Sequence, residues 1–455
     1  MKVLLVSAST LTVPYPVYPL GLDYVAHALS ASAGRRIKIA DMNEVGDYAS
    51  LEKMIRGFSP DIIGLSLRNI DNTDMNDSRA FIDKYKALAE CIRRCSDVPL
   101  VLGGSGFTLF PAEIMNILNA DYGIIGEGER LNLLLNAIEK QEDISAVPGL
   151  ITRKTDTDTE TETPPPLAGS FAGNFDRENA HVQFYLENGG MLNLQTKRGC
   201  HFKCIYCTYP HIEGEKLRFI PPEEVADAAL RLQEAGAKYI YITDSVFNSD
   251  YPHTLEVARA FEKAGISVPW GAFFAPTLPP RDYYKIMASA GLAHVEFGTD
   301  SLSDRMLASY KKPFRTDQIF EAHRQAKEAG LHIAHYLLPG GPGENCDSLN
   351  ETLLNVDKLD KSVLFIFSGI RIYPHTELYD IAVKEGQISE SQSMLEPVFY
   401  QAESITQEEI IRRVTGYAKG HTNRIVGAGG NRTGDILSRM YKSGYHGPLW
   451  EYLIQ

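Results

Sequence analysis

Three cysteines within eight residues, Cys200, Cys204 and Cys207 in the segment KRGCHFKCIYCTYP, concentrate the reactive side chains of this 455-residue chain. Thiolates are preferred ligands of iron–sulfur clusters, and a C-x3-C-x2-C loop is flexible enough to wrap three of them round one face of a cubane. A ferredoxin cubane takes four cysteines, and no suitable fourth lies nearby, so one iron would keep an open position. Zinc is the competing reading; it needs a fourth ligand, for which His201 and His211 are the local candidates. Of the other cysteines, Cys91 and Cys95 stand four apart on an expected helix with no His or third Cys to complete a site. Cys346 follows a glycine-rich turn.

The elements that must position this loop form two successive alternations. Over the first 150 residues short apolar runs (Val3 to Ser7, Ile37 to Asp41, Asp61 to Leu67, Leu100 to Gly104, Tyr122 to Gly126) alternate with amphipathic segments. This predicts a doubly wound Rossmann- or flavodoxin-like α/β domain whose ligand sits at the C-terminal strand ends. Residues 151–190 read as a linker, because TDTDTETETPPP (Thr155 to Pro166) cannot build a packed core. Over residues 191–385 a second alternation predicts six βα units, hence a partial (β/α)6 barrel. Its strands are expected at Leu192 to Thr196, Tyr239 to Thr243, Val268 to Phe274, His294 to Gly298, Leu331 to Leu338 and Phe365 to Tyr373. The cysteine loop follows the first of these, where barrel active sites lie. Residues 386–455 read as a helical C-terminal region.

The cysteine spacing, the aromatic Tyr206 before the third cysteine and the barrel behind them resemble the radical S-adenosylmethionine (SAM) superfamily. In that family a 4Fe-4S cluster held by the three cysteines chelates SAM through its open iron. An electron from the cluster then cleaves SAM to methionine and a 5′-deoxyadenosyl radical. Further segments match in order along the barrel: YIYITDSVFN puts Asp244 and Ser245 where the family binds the SAM amino group, although its usual Gly-Gly-Glu is absent. HVEFGTDSLSDRML offers Glu296 and Asp300 to the ribose or methionine moiety. YLLPGGPGEN and RIYPHTELYDIAVKEG resemble later family segments, with His375 in place of a glycine. Taken singly, each has a bland reading as a helix cap or a turn.

A doubly wound domain before such a barrel resembles the cobalamin-binding class of the superfamily, with a likeness reaching to about residue 385. The matching segments are YPVYPLGLDYVAHAL, GLSLRN, LGGSGFTLFP and GIIGEGE, which make Arg68, Asn69, Gly103, Gly104, Ser105, Gly106, Glu127 and Gly128 candidate cofactor contacts. Gly103 to Gly106 would let backbone amides approach a ligand, with Ser105 as a donor. A dinucleotide competes for this turn, but Leu109 stands where G-x-G-x-x-G requires its third glycine. Many cobalamin domains carry Asp-x-His-x-x-Gly, whose His ligates cobalt from below. Here the segment is Asp41-Met42-Asn43-Glu44-Val45-Gly46, with Asn43 at the His position. The resemblance therefore implies base-off cobalamin without a His ligand, and Arg68 is the expected lower-face neighbour.

The implied activity is methylation of an unactivated carbon of a small molecule, lipid or peptide through a 5′-deoxyadenosyl radical and methylcobalamin, with flavodoxin or ferredoxin as electron donor. Two alternatives remain: the same cofactors used for cyclisation, ring rearrangement or lipid carbon–carbon chemistry, and a non-enzymatic iron–sulfur/cobalamin redox carrier. The net charge of −13 argues against a broad nucleic-acid-binding face. The initial apolar run, Val3 to Val6, is too short for a signal peptide and no stretch of about 18 apolar residues follows, so a cytoplasmic protein without transmembrane segment is expected.

Overall fold

The computed structural model describes residues 1–12, 15–30, 34–153, 163–165, 167, 173, 177–427 and 430–454, without the side chains of 430–434. Most of the expected Thr155–Pro166 excursion lies outside the described residues.

The N-terminal strands β1 (Lys2–Ser7), β2 (Arg36–Asp41), β3 (Ile62–Ser66), β4 (Leu100–Gly103), β5 (Tyr122–Ile124) and β6 (Leu150–Thr152) form one sheet in the order β2-β1-β3-β4-β5-β6. β1 to β5 run parallel. Helices cover both faces, which is why Val3 to Val6 and Ile62 to Leu65 are continuous apolar runs rather than alternating ones. The order reverses between β1 and β3, and this opens a crevice at their C-terminal ends. β6, antiparallel to β5, was not expected; three residues are too few to show a period.

The second sheet is built from β7 (Met191–Leu194), β10 (Tyr239–Ile242), β11 (Trp270–Phe274), β12 (Leu292–Asp300), β13 (His332–Leu337), β14 (Val363–Ile366) and β15 (Arg424–Val426), parallel throughout and ordered as named. Between β7 and β10 a small hairpin, β8 (Lys197–Arg198) with β9 (Arg218–Phe219), brackets the cysteine loop. The architecture is the expected α/β pair, a doubly wound domain followed by a partial barrel, with two corrections. The sixth expected strand, Phe365 to Tyr373, stops at Ile366, because Gly369 turns the chain with φ 84°. A seventh strand, β15, comes from the C-terminal region expected to be helical.

Helix Tyr251–Ala264 illustrates the outer layer. Asp250 caps it by accepting from the His253 amide, and Gly265 ends it in the left-handed region. His253, Thr254, Val257, Ala258 and Phe261 recur at helical spacing and are buried, with Phe261 packing edge-on against Trp270.

The segment expected to be a linker contains a further helix, Ala180–Glu187, which joins the two units. Its Val182 and Tyr185 share one core with Tyr18 and Tyr24 of the first domain and with Leu192 and Ile242 of the barrel. Among the described residues no helix is long and apolar enough to cross a membrane.

Candidate functional site

The cysteine loop is fixed by its backbone. Gly199 has φ 93°, and a Cβ there would come within 2.3 Å of the Lys216 carbonyl, so the hairpin can close only on glycine. The Cys200 amide donates to Gly214, the Ile205 amide to Tyr310 and the Leu378 amide to Ile205, which ties the loop to three other segments. Burial pushes the Cys204 thiol up and the Cys207 thiol up to about 12. Burial keeps these thiols neutral until a metal takes their charge, and the fit to a cluster rests on the donor chemistry, three sulfurs on one loop.

Beside the loop, Tyr206 donates its hydroxyl to Asp300, which also pairs with Lys312 at 2.9 Å. Asp300 ends β12 at φ 60°, where a β-strand residue must be held by its neighbours. Burial disfavours the Lys312 ammonium, but Asp300 outweighs it and raises its pKa. Lys312 escaped sequence reasoning because it lies in a loop, twelve residues beyond Asp300.

Asp244 and Ser245 reach the same region but are occupied. Asp244 accepts from the Thr196 amide (2.7 Å), the Thr196 hydroxyl (2.5 Å), the Lys197 amide (3.3 Å) and Lys197 Nζ (2.8 Å). Ser245 donates to the Gly199 carbonyl at 3.1 Å. In this position they hold the strand from which the cysteine loop starts, and both also line the cavity between the domains. The signal for this was Lys197, a basic residue buried next to the motif.

Glu296 does not join Asp300. It lies deeper in the barrel, 1% exposed, and accepts from Tyr336 (2.8 Å), Tyr241 (3.3 Å) and the Trp450 indole (3.2 Å). Its bonds in this structure go to this buried network. Below it, His294 stands between Glu296 (3.3 Å) and Glu451 (2.9 Å), and Glu451 also holds His332 at 2.6 Å. The C-terminal residues Leu449–Leu453 thus plug the far mouth of the barrel. No local pattern marks Glu451, because its partners lie more than a hundred residues away.

In the first domain the glycine turn packs tightly on the loop after β3. A Cβ on Gly104 would lie 2.5 Å from the Leu67 carbonyl oxygen, and the Gly106 amide donates to that same oxygen at 2.9 Å. Ser105 Oγ donates to the Arg68 carbonyl at 2.8 Å. The turn therefore clamps the loop after β3. Arg68 is exposed, its Nε donating to Asn69 Oδ1 at 2.9 Å. Gly128 begins a short helix, where a Cβ would meet Val25 at 2.7 Å. Glu127 is bound by Arg198, Arg218 and the Leu167 amide, so it joins the domains while lining the cavity between them. A second joint pairs the buried Arg371 and Asp71 at 2.9 Å. Asn43 donates to the Tyr185 hydroxyl at 3.2 Å.

These loops enclose a cavity of about 720 Å³ between the domains. Arg68, Asn69, Gly103 to Gly106, Glu127 and Gly128 line it from one side; Thr208, Tyr209, Tyr241, Asp244 and Phe273 line it from the barrel. A cavity of this size, bordered by the residues directly after Cys207, suits a large ligand beside the cluster loop.

Comparison with known proteins agrees with this division. The model of the radical SAM superfamily matches residues 194–356, and that of the B12 binding domain matches residues 6–135. Tryptophan 2-C-methyltransferase of Streptomyces laurentii is 24% identical over 433 residues, covering 80% of this chain and 72% of that one. Cytidylyl-2-hydroxyethylphosphonate methyltransferase of Streptomyces wedmorensis is 24% identical over 464 residues, covering 88% and 85%. Hopanoid C-3 methylase of Methylococcus capsulatus is 23% identical and covers 90% of this chain and 79% of its own. Among solved structures, the radical S-adenosylmethionine methyltransferase TsrM from Kitasatospora setae, with cobalamin and a 4Fe-4S cluster bound, superposes with TM-score 0.86 at 20% identity. It covers 99% of this chain and 97% of its own.

Proposed function

Because the chain belongs to the cobalamin-binding class of radical SAM enzymes, we propose that it methylates a carbon atom of a small molecule, with SAM as the methyl source and cobalamin as the carrier. The observation that carries this reading is the single cavity lined by both the Arg68 loop and the residues following Cys207. When bound, the cluster supplies the electron that opens SAM, and cobalamin supplies a cobalt able to carry a methyl group.

The protein's share is alignment and exclusion of water. Cys200, Cys204 and Cys207 hold the cluster in a loop whose backbone is pinned at both ends. Tyr206, Asp300 and Lys312 form a charged hydrogen-bonded group beside it, suited to the polar parts of SAM. Asn43 supplies no imidazole, which supports cobalamin bound base-off, and Arg68 on the cavity wall would stand beside the bound group, where its positive charge would disfavour electron loss from reduced cobalt. Flavodoxin or ferredoxin supplies the electron.

The test is product analysis with reconstituted, reduced protein. Formation of both S-adenosylhomocysteine and 5′-deoxyadenosine with a methylated product supports the reading. Deoxyadenosine alone, with an unmethylated product, would replace it by other radical chemistry on the same cofactors.

A further inference from the structure

The cavity continues into the barrel as a wall of aromatic rings over a buried acid. Tyr15, Tyr241 and Phe273 line it; the Tyr241 and Phe273 centroids are 5.7 Å apart and nearly perpendicular, and Tyr15 lies 6.2 Å from Tyr241. Tyr336 backs Phe273 at 5.6 Å. Rings at these distances also build ordinary cores, but Phe273 keeps 37% of its surface exposed, although it sits on a central strand of the barrel. An open aromatic face there is a surface meant for a ligand.

The charge beneath the rings selects the ligand. Tyr241 and Tyr336 give their protons to Glu296, so their oxygens remain as acceptors. His294 is shared by Glu296 and Glu451, so two carboxylates face one imidazole in the buried group. His332 meets Glu451 at the far mouth, where it is half-exposed and screened by water. A neutral apolar group gains only burial against the rings. A cation gains twice, from the ring faces and from the acid behind them.

We propose that the Tyr15–Tyr241–Phe273 wall above Glu296 is a subsite for a protonated amine of the substrate. This rests on the reading that the barrel acts on a small molecule. The subsite holds the amine while the carbon to be methylated faces the cofactors.

The probe is benzylammonium against benzyl alcohol, a neutral molecule of nearly the same shape, titrated calorimetrically into the full-length protein at about pH 7.5, where the amine is charged. Saturable binding is expected for benzylammonium, roughly tenfold tighter than for the alcohol. Glu296→Gln should erase the preference and Phe273→Leu should reduce it by roughly threefold or more. No saturable binding of benzylammonium, equal affinity for the two probes, or a preference that survives both substitutions overturns the proposal. If Glu296→Gln does not fold, Phe273→Leu decides alone, because an open residue can be shortened without unfolding the barrel. S-adenosylhomocysteine formation in the same preparation is scored separately: its failure counts against methyl transfer and leaves the amine result standing.

Discussion

Ser105 Oγ donates to the main-chain carbonyl of Arg68 at 2.8 Å, so a hydroxyl just after β4 fixes the backbone that carries one of the cavity's cations. A guanidinium on a loop held this way keeps its place when the cavity fills. Replacing Arg68 with Ala should leave the fold intact, change the visible spectrum of bound cobalamin and lower the potential of its most reduced couple by on the order of 100 mV. Ser105→Ala should give a smaller change of the same sign. Spectroelectrochemistry of the two variants checks the order; an unchanged spectrum and potential in Arg68→Ala would remove this residue from the site.

Ala at Cys200, Cys204 or Cys207 should abolish deoxyadenosine formation while leaving cobalamin binding largely unaffected, because the cavity's first-domain wall does not depend on the thiols. Iron content, product chromatography and cobalamin titration on one preparation separate the two effects.

Asp244 binds the buried ammonium of Lys197, so its loss is a stability defect before it is a catalytic one. Asp244→Ala leaves that charge unpaired and should cost about 3–5 kcal/mol. Lys197→Met together with Asp244→Leu should recover much of this, since two apolar side chains bury no charge. Denaturant unfolding of the single and double variants measures the difference; equal losses in both would mean that the pair is not what Asp244 supplies.

Docking of the C-terminal plug should depend on pH through Glu451 and His294. Burial would raise the Glu451 carboxyl, yet the bonds from His294 and His332 outweigh it and bring it down to about 2. Its contribution is present above the ordinary carboxylate range and is lost as pH falls towards about 2. Burial likewise disfavours the His294 imidazolium, but Glu296 and Glu451 raise its pKa. That contribution is complete below the ordinary histidine range and is lost as pH rises through the raised value. Melting temperature against pH should therefore fall on both sides for the wild type, and Glu451→Gln should flatten both arms. A profile unchanged by the substitution would refute the coupling.

The sequence alone carried the cysteine loop, the two parallel sheets and their assignment to two cofactors. Thiol spacing is local, and strands buried on both faces announce themselves as apolar runs such as Val3 to Val6. It did not carry the short strands β6 and β15, whose three residues show no period and are stabilised by the neighbour they pair with. It offered Asp244, Glu127, Glu296 and Ser105 as cofactor contacts but not their protein partners, because an acid or hydroxyl at a strand end looks the same whether it faces a ligand or a lysine. Tertiary structure supplied those partners, since Arg198 for Glu127 and Trp450 for Glu296 lie 71 and 154 residues away. A buried carboxylate must be satisfied by whatever the fold brings within about 3 Å, and nothing in its own segment records what that will be.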